Sequence, residues 1–218
     1  AIGGNAVVEN LGLADSYIYG GDKFAGGLFS YVENRAWTTY KEPIIRNCFI
    51  AEDVYLSGSC AGGIVAANAT TITIENSYSL ATVEGAATRY GGIIGYQWYN
   101  GIYKDQDNAS QIAKTNIINC YVSEAKKIPV IGTLTYLDWV DGKNVYGLNS
   151  QTANISSVVS FGNMCGDKAK EYFKGFDFVN TWETLEKSTP ILKVFKNVPH
   201  KYDVHFCRTK GPVTVSFE

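Results

Sequence analysis

Apolar and polar positions along the chain recur in blocks that are too short, too glycine-rich and too β-branched to be helices. Residues 89–96 read RYGGIIGY, and the same order returns at 25–31 (AGGLFSY) and 61–68 (AGGIVAAN). Residues 128–134 (IPVIGTL) fit as a degenerate fourth copy, with Pro129 and Val130 standing where Gly92 and Ile93 stand. A second block lies upstream of each copy and carries an aliphatic residue two positions before Asn. It occurs as Val8-Glu9-Asn10-Leu11, Ile45-Arg46-Asn47-Cys48-Phe49, Ile74-Glu75-Asn76-Ser77-Tyr78 and Ile117-Ile118-Asn119-Cys120-Tyr121.

The two blocks keep a nearly constant distance. Asn10 to Gly27 is 17 positions, while Asn47 to Gly63 and Asn76 to Gly92 are both 16. A third apolar point falls between them, at Ile18, Val54 and Val83. Successive glycine blocks lie 36 (27 to 63), 29 (63 to 92) and 37 (92 to 129) residues apart, a period typical of stacked supersecondary units. The pattern predicts an all-β chain: a parallel β-solenoid of about four to five three-stranded rungs, one turn per copy. A fifth, weaker strand is expected at 155–160, with Ser156 in the place of Asn119.

Stacked rungs lie about 4.8 Å apart, so equivalent residues should touch. Asn10, Asn47, Asn76 and Asn119 are therefore expected to form a ladder at a sharp corner, where Asn tolerates a left-handed backbone and passes amide hydrogen bonds between rungs. Cys48 and Cys120 occupy equivalent places with Ser77 between them, about 10 Å apart by the strand spacing, too far for a disulfide. The glycine pairs 26–27, 62–63 and 91–92 are expected to supply positive φ and close backbone approach at another corner, with Leu28, Ile64 and Ile93 stacking inside.

Long insertions follow the glycine block at 32–43, 97–115 and 135–153, and connections leaving equivalent points of a solenoid project from one side. They bring Trp37, Tyr40, Trp98, Tyr99, Tyr103, Tyr136, Trp139 and Tyr146 to a shared aromatic edge, the candidate ligand-binding site. Residues 166–195 leave the repeat. They contain one predicted short helix (168–174) and the apolar Phe173, Phe176, Phe178 and Trp182, expected to close the open end of the stack. The expected division is thus a solenoid over 1–165, a capping segment over 166–195 and a β-hairpin over 196–218 that opens a following module.

Composition narrows the partners. Nineteen basic against 21 acidic residues give a net charge of -2, so no broad positive field exists for nucleic acid, and no apolar run reaches the ~20 residues that would cross a bilayer. The 15 Tyr and 22 Gly among 218 residues suit short strands, tight turns and wet aromatic surfaces. The five cysteines include no C-x-x-C pair, and spacing leaves the pairing of Cys60, Cys165 and Cys207 open. The nearest approach to a metal cluster is Asp105 and Asp107 beside Asn108, which lacks the EF-hand and G-G-x-G-x-D patterns; no metal or other cofactor is expected. His200 and His205 have no Ser or Cys partner at a catalytic spacing.

The GGLFSY, GGIVAA and GGIIGY copies with the I-x-N-[CS]-[FY] strands resemble the GLUG repeat of large bacterial surface proteins, adhesins and IgA-protease-like polypeptides among them. The resemblance covers residues 1 to about 135. The segment Lys174-Gly175-Phe176-Asp177-Phe178, with Trp182 and 189–193 (TPILK), is similar to the ending that closes such arrays. It implies an extracellular segment of a longer multidomain polypeptide, a spacer or an adhesive module for host or cell-wall glycan or protein, with no catalytic residues. The alternative is a fragment of a polysaccharide-acting β-helix lyase or hydrolase, for which only the acidic positions of the insertions would serve.

Overall fold

The computed structural model describes residues 5–33, 42–86, 88–98, 114–123, 128–135, 137–148, 152 and 155–197. The chain is mostly β, and its three large sheets are built from parallel pairs. The first sheet lays Val7–Glu9, Ile44–Arg46, Ile72–Glu75, Thr115–Val122 and Val140–Leu148 side by side. Beyond the Asn corner it continues through Gly12–Leu13, Phe49–Ile50 and Tyr78–Ser79, with Ser157–Val159 on the last edge. The second sheet holds Tyr17–Gly26, Tyr55–Gly62, Thr82–Gly85 and Tyr90–Gly91. The third holds Phe29–Val32, Val65–Asn68, Ile94–Gln97 and Ile131–Leu134. The first three copies thus visit the three sheets in the same order and pair with one another; among the described residues the fourth adds Thr115–Val122 and Ile131–Leu134 to the first and third sheets, and the last turn extends the first sheet alone.

The corner of the first sheet follows from its residue types. Asn10, Asn47, Asn76, Asn119 and Asn144 all have positive φ, between 44° and 56°, which Asn reaches at less strain than other residues with a Cβ. Asn47 Nδ2 donates to Asn10 Oδ1 (3.2 Å), Asn119 Nδ2 to Asn76 Oδ1 (3.2 Å) and Asn144 Nδ2 to Asn119 Oδ1 (2.8 Å). Between Asn47 and Asn76 the side-chain ladder is interrupted, since the buried Asn47 Oδ1 has no partner. After three of the five corner Asn residues stands a small donor: Cys48 Sγ, Ser77 Oγ and Cys120 Sγ donate to the carbonyls of Arg46, Glu75 and Ile118, two residues back. That explains why Cys and Ser interchange in the motif. Cys48 and Cys120 are free thiols, as is Cys60, whereas Cys165 is disulfide-bonded.

Five expectations change. Among the described glycines only Gly21, Gly166 and Gly175 have positive φ, so the pairs 26–27, 62–63 and 91–92 are required for close approach instead. A Cβ on Gly27, Gly63 or Gly92 would fall 2.7, 2.3 or 2.3 Å from Ile50 Cδ1, Ser79 Oγ or Val122 Cγ1, the interior column of the first sheet. Ile64, Ile93 and Val130 are fully buried beside them, and the register of Ile131 with Ile94 places Pro129 and Val130 opposite Gly92 and Ile93. The counterpart of Ile18 and Val83 is Leu56, not Val54; a turn in which Val54 N donates to Ala51 O carries the extra residues of that copy.

The 135–153 insertion is not a loop throughout, for it contains the strand Val140–Leu148 and supplies the fifth corner Asn, Asn144. Gly142, where the earlier copies have Val8, Ile45, Ile74 and Ile117, disguises it. Ser156 consequently does not replace Asn119; it lies one turn further on, its neighbour Ser157 pairing with Tyr146.

The C-terminal segment, expected to close the open end, lies along a side face instead. Phe49, Tyr78, Tyr121 and Tyr146 share one register position and, by alternation with the inward Ile50, Ser79 and Val122, face away from the interior. Phe49 stacks on Tyr78 (5.5 Å) and Tyr78 on Tyr121 (4.9 Å, 4°). Such an aromatic column needs a cover, and the segment lies along it: Phe195 meets Phe49 (4.8 Å), Trp182 meets Tyr78 and Tyr121 (5.9 and 5.8 Å), and Phe173 meets Tyr121 and Tyr146 (5.3 and 5.0 Å). The hydroxyls of Tyr121 and Tyr146 donate to Pro190 O (2.6 Å) and Lys174 O (2.8 Å). Its helix is Ala169–Tyr172, and Trp182–Glu183 pairs antiparallel with Ile191–Leu192. The hairpin expected from 202–217 lies outside the described residues.

Candidate ligand-binding face

Of the aromatic edge, Trp37, Tyr40, Tyr99, Tyr103 and Tyr136 lie outside the described residues, as do Asp105 and Asp107. Tyr146 does not belong to an edge: it is 7% exposed and packed beneath Phe173 and Phe176, because it occupies the covered aromatic column. Trp139 ends the short 3-10 turn Leu137–Trp139, one position before the strand Val140–Leu148. Trp98, 39% exposed, is placed where a ligand could meet it.

Trp98 stands just past the strand Ile94–Gln97, its N–H donating to Asn68 O (2.7 Å). Its ring is 6.4 Å from Tyr96, nearly parallel at 10°, and 6.4 Å from Tyr31 at 49°. Tyr31 in turn stacks on Phe24 (5.6 Å, 13°). The four rings come from two sheets because the glycine corner folds the second sheet back against the third, and a small second core of Cys60, Ala66 and Ala67 lies beneath them. Tyr31 and Tyr96 both pair with Ala67, one from each side, so the small alanine leaves room above itself for the larger rings.

The chemistry bordering the rings is polar and cationic. Arg89 is exposed and its guanidinium carbon sits 4.9 Å from the Tyr96 ring centroid, a cation–π contact. Thr133 Oγ1 donates to Thr88 O (2.9 Å) and lies 2.9 Å from Thr88 Oγ1, so the residue before Arg89 is tied to the strand that pairs with Tyr96. Beneath the face, Cys60 Sγ donates to Ala66 O (3.0 Å), and burial pushes its thiol up to about 12 although Arg89 pulls the other way. This thiol is packing, not a nucleophile.

No protein-family model matches the sequence. No curated protein matches it significantly either. Among solved structures, the chain is similar to a putative immunoglobulin A1 protease from Bacteroides ovatus, with TM-score 0.52 and 17% identity over 86% of this chain. The match spans 57% of that protein's length, and at this identity it shows the fold alone.

Other clusters offer less. A cleft of about 320 Å³ lined by Asn144, Tyr146, Ile155, Ser156 and Ser157 holds no carboxylate, and the Tyr146 hydroxyl is engaged by Lys174 O. Asp167 and Asp177 have carboxyls held below the usual range by hydrogen bonds from Lys170 and Asn180 respectively, which tie down turns of the C-terminal segment. Among the described residues, no group of three or more His, Cys, Asp or Glu could hold a metal, and no helix is long and apolar enough to cross a membrane.

Sequence reasoning missed Phe24, Tyr31, Tyr96 and Arg89. The signal was present: Tyr31 and Tyr96 end the motif copies GGLFSY and GGIIGY, so equal motif positions alone would place them on one face.

Proposed function

We propose that the chain is a GLUG-type parallel β-solenoid segment of a larger extracellular or cell-surface protein, and that it engages a glycan or protein ligand without catalysing a reaction. The observation carrying this reading is the row Phe24, Tyr31, Trp98 and Tyr96, an aromatic surface lying outside the main core with Arg89 at its end. Aromatic residues with one wet face are what interfaces and saccharide sites use for affinity. The recurring strand register and the Asn corners support the solenoid reading.

The test is binding of the chain to glycan and serum-protein arrays, with immunoglobulin A included because the structural neighbour's name points to that protein. Wild type should bind a defined probe, and the double variant Trp98→Ala, Tyr96→Ala should weaken this at least about tenfold, or 1.4 kcal/mol, while its circular dichroism stays that of wild type, since half-buried Tyr96 also packs on Cys60, Ala66 and Ala67. Empty arrays, or binding indifferent to both substitutions, would leave a pure spacer.

A further inference from the structure

The ligand-binding reading leaves the chemistry of the ligand open, and resting on it, we propose that the face takes a uronate-bearing polysaccharide chain, with a sugar ring on Trp98 and a carboxylate on Arg89, which itself rests on Tyr96.

Three observations carry the assignment. The first is the length of the platform. Tyr31 and Tyr96 flank the same residue, Ala67, in adjacent strands on opposite sides. They are therefore two strand spacings apart, about 9.6 Å. Trp98 bridges them at 6.4 Å from each. That strip is longer than one pyranose ring, so it suits an internal stretch of polymer better than a single terminal sugar. Flat aromatic faces meet the C–H faces of pyranose rings, and the tyrosine and threonine hydroxyls at the margins can exchange hydrogen bonds with ring hydroxyls.

The second is the state of Arg89. It is exposed, and no carboxylate among the described residues forms an ion pair with it. A guanidinium resting on Tyr96 is restrained while its edge remains open. A planar carboxylate answers that edge with two parallel N–H···O bonds. The third is the pair Thr88 and Thr133, hydroxyls 2.9 Å apart on the residue preceding Arg89 and on the strand position paired with Tyr96, which supply neutral polar groups to the same face. A single cation, Arg89, touches the rings among the described residues, which fits a sparse carboxylate on a sugar ring better than the dense anionic stretch of a nucleic acid, which requires several cations.

The test uses the whole chain in native affinity gels containing polygalacturonate or unsulfated hyaluronan, each beside the same polymer with its carboxyls reduced to alcohols. Wild type should be retarded by at least one native polymer, with affinity about tenfold lower for the reduced form. Arg89→Gln should abolish that preference while keeping weak retardation by both forms, and Trp98→Ala should weaken both. Both side chains are exposed, so melting temperatures should stay within about 2 °C of wild type and exclude misfolding as the cause. Equal retardation by native and reduced polymers, retention of the preference in Arg89→Gln, or no retardation at all overturns the uronate assignment. The ligand face itself falls separately, when a probe found on the arrays still binds the Trp98→Ala, Tyr96→Ala variant undiminished.

Discussion

Asn119 Oδ1 accepts a 2.8 Å hydrogen bond from Asn144 Nδ2, while Asn119 Nδ2 donates to Asn76 Oδ1 at 3.2 Å. One side chain thereby ties three successive turns together at a corner where its own backbone is left-handed, φ 51°. Two effects can be separated by substitution. Asn119→Gly keeps the backbone at ease and loses two side-chain hydrogen bonds, a cost of about 1–2 kcal/mol. Asn119→Ala loses the same bonds and adds left-handed strain of about 1–2 kcal/mol. Urea unfolding should rank wild type above Asn119→Gly and Asn119→Gly above Asn119→Ala; equal stability of the two variants would remove backbone strain from the account.

The glycine pairs give a second contrast. A Cβ on Gly63 would lie 1.8 Å from Gly92 O and 2.3 Å from Ser79 Oγ, so the second sheet could not approach the interior column. Gly63→Ala should destabilise by roughly 3 kcal/mol or more, near the upper end for overpacking. Gly162 has nothing within 4 Å of an added Cβ, and Gly162→Ala should leave the melting temperature unchanged or slightly raised. Similar losses in both variants would contradict the close-approach role.

What the sequence disclosed was what repeats with clean chemistry. The Asn corners at 10, 47, 76 and 119 and the aliphatic Ile45, Ile74 and Ile117 beside them were legible because a left-handed corner and a buried column admit few residue types. Asn144 escaped notice because its strand reads DGKN, with Gly142 in the register position that Ile45, Ile74 and Ile117 fill elsewhere; a Cβ there would lie 2.4 Å from Ile155 O. The role of Phe49, Tyr78 and Tyr121 was hidden for a different reason. Period-2 alternation says that they face opposite to Ile50, but not that a segment more than 50 residues further along will cover them. The candidate face was half legible: Trp98 stood out as a loop aromatic and Tyr31 shares its motif position with Tyr96, whereas Phe24 is brought to them only by the fold of the second sheet onto the third.

Removal of the cover tests that packing. Phe173 is 1% exposed and touches Tyr121, Tyr146 and Phe176. Phe173→Ala should cost about 3–5 kcal/mol and, by loosening the segment, shift Trp182 fluorescence to the red before the sheets unfold. Tyr121→Phe removes only the hydroxyl donated to Pro190 O, leaving a buried carbonyl unpaired, and should cost about 1–3 kcal/mol without an early spectral change. A single coincident transition in Phe173→Ala would show that segment and sheets unfold as one unit.

The buried thiols set a direction for alkaline stability. Burial pushes Cys60 and Cys120 up to about 12 from an ordinary value of 9.0, and raises Cys48 as well. Below pH 9 both folded and unfolded chains keep these protons, and stability is unaffected by them. Between pH 9 and about 12 the unfolded chain releases them while the folded chain holds them, so unfolding becomes progressively easier as pH rises. Urea midpoints should therefore fall from pH 9 to 10.5, and the fall should be smaller in a Cys60→Ala, Cys120→Ser variant measured against its own value at pH 7. Native protein should also resist iodoacetamide at Cys48, Cys60 and Cys120 at pH 8 and react at all three once unfolded. Rapid native labelling of Cys120 would mean that the corner beside Asn119 opens far more readily than its hydrogen-bonded, fully buried position allows.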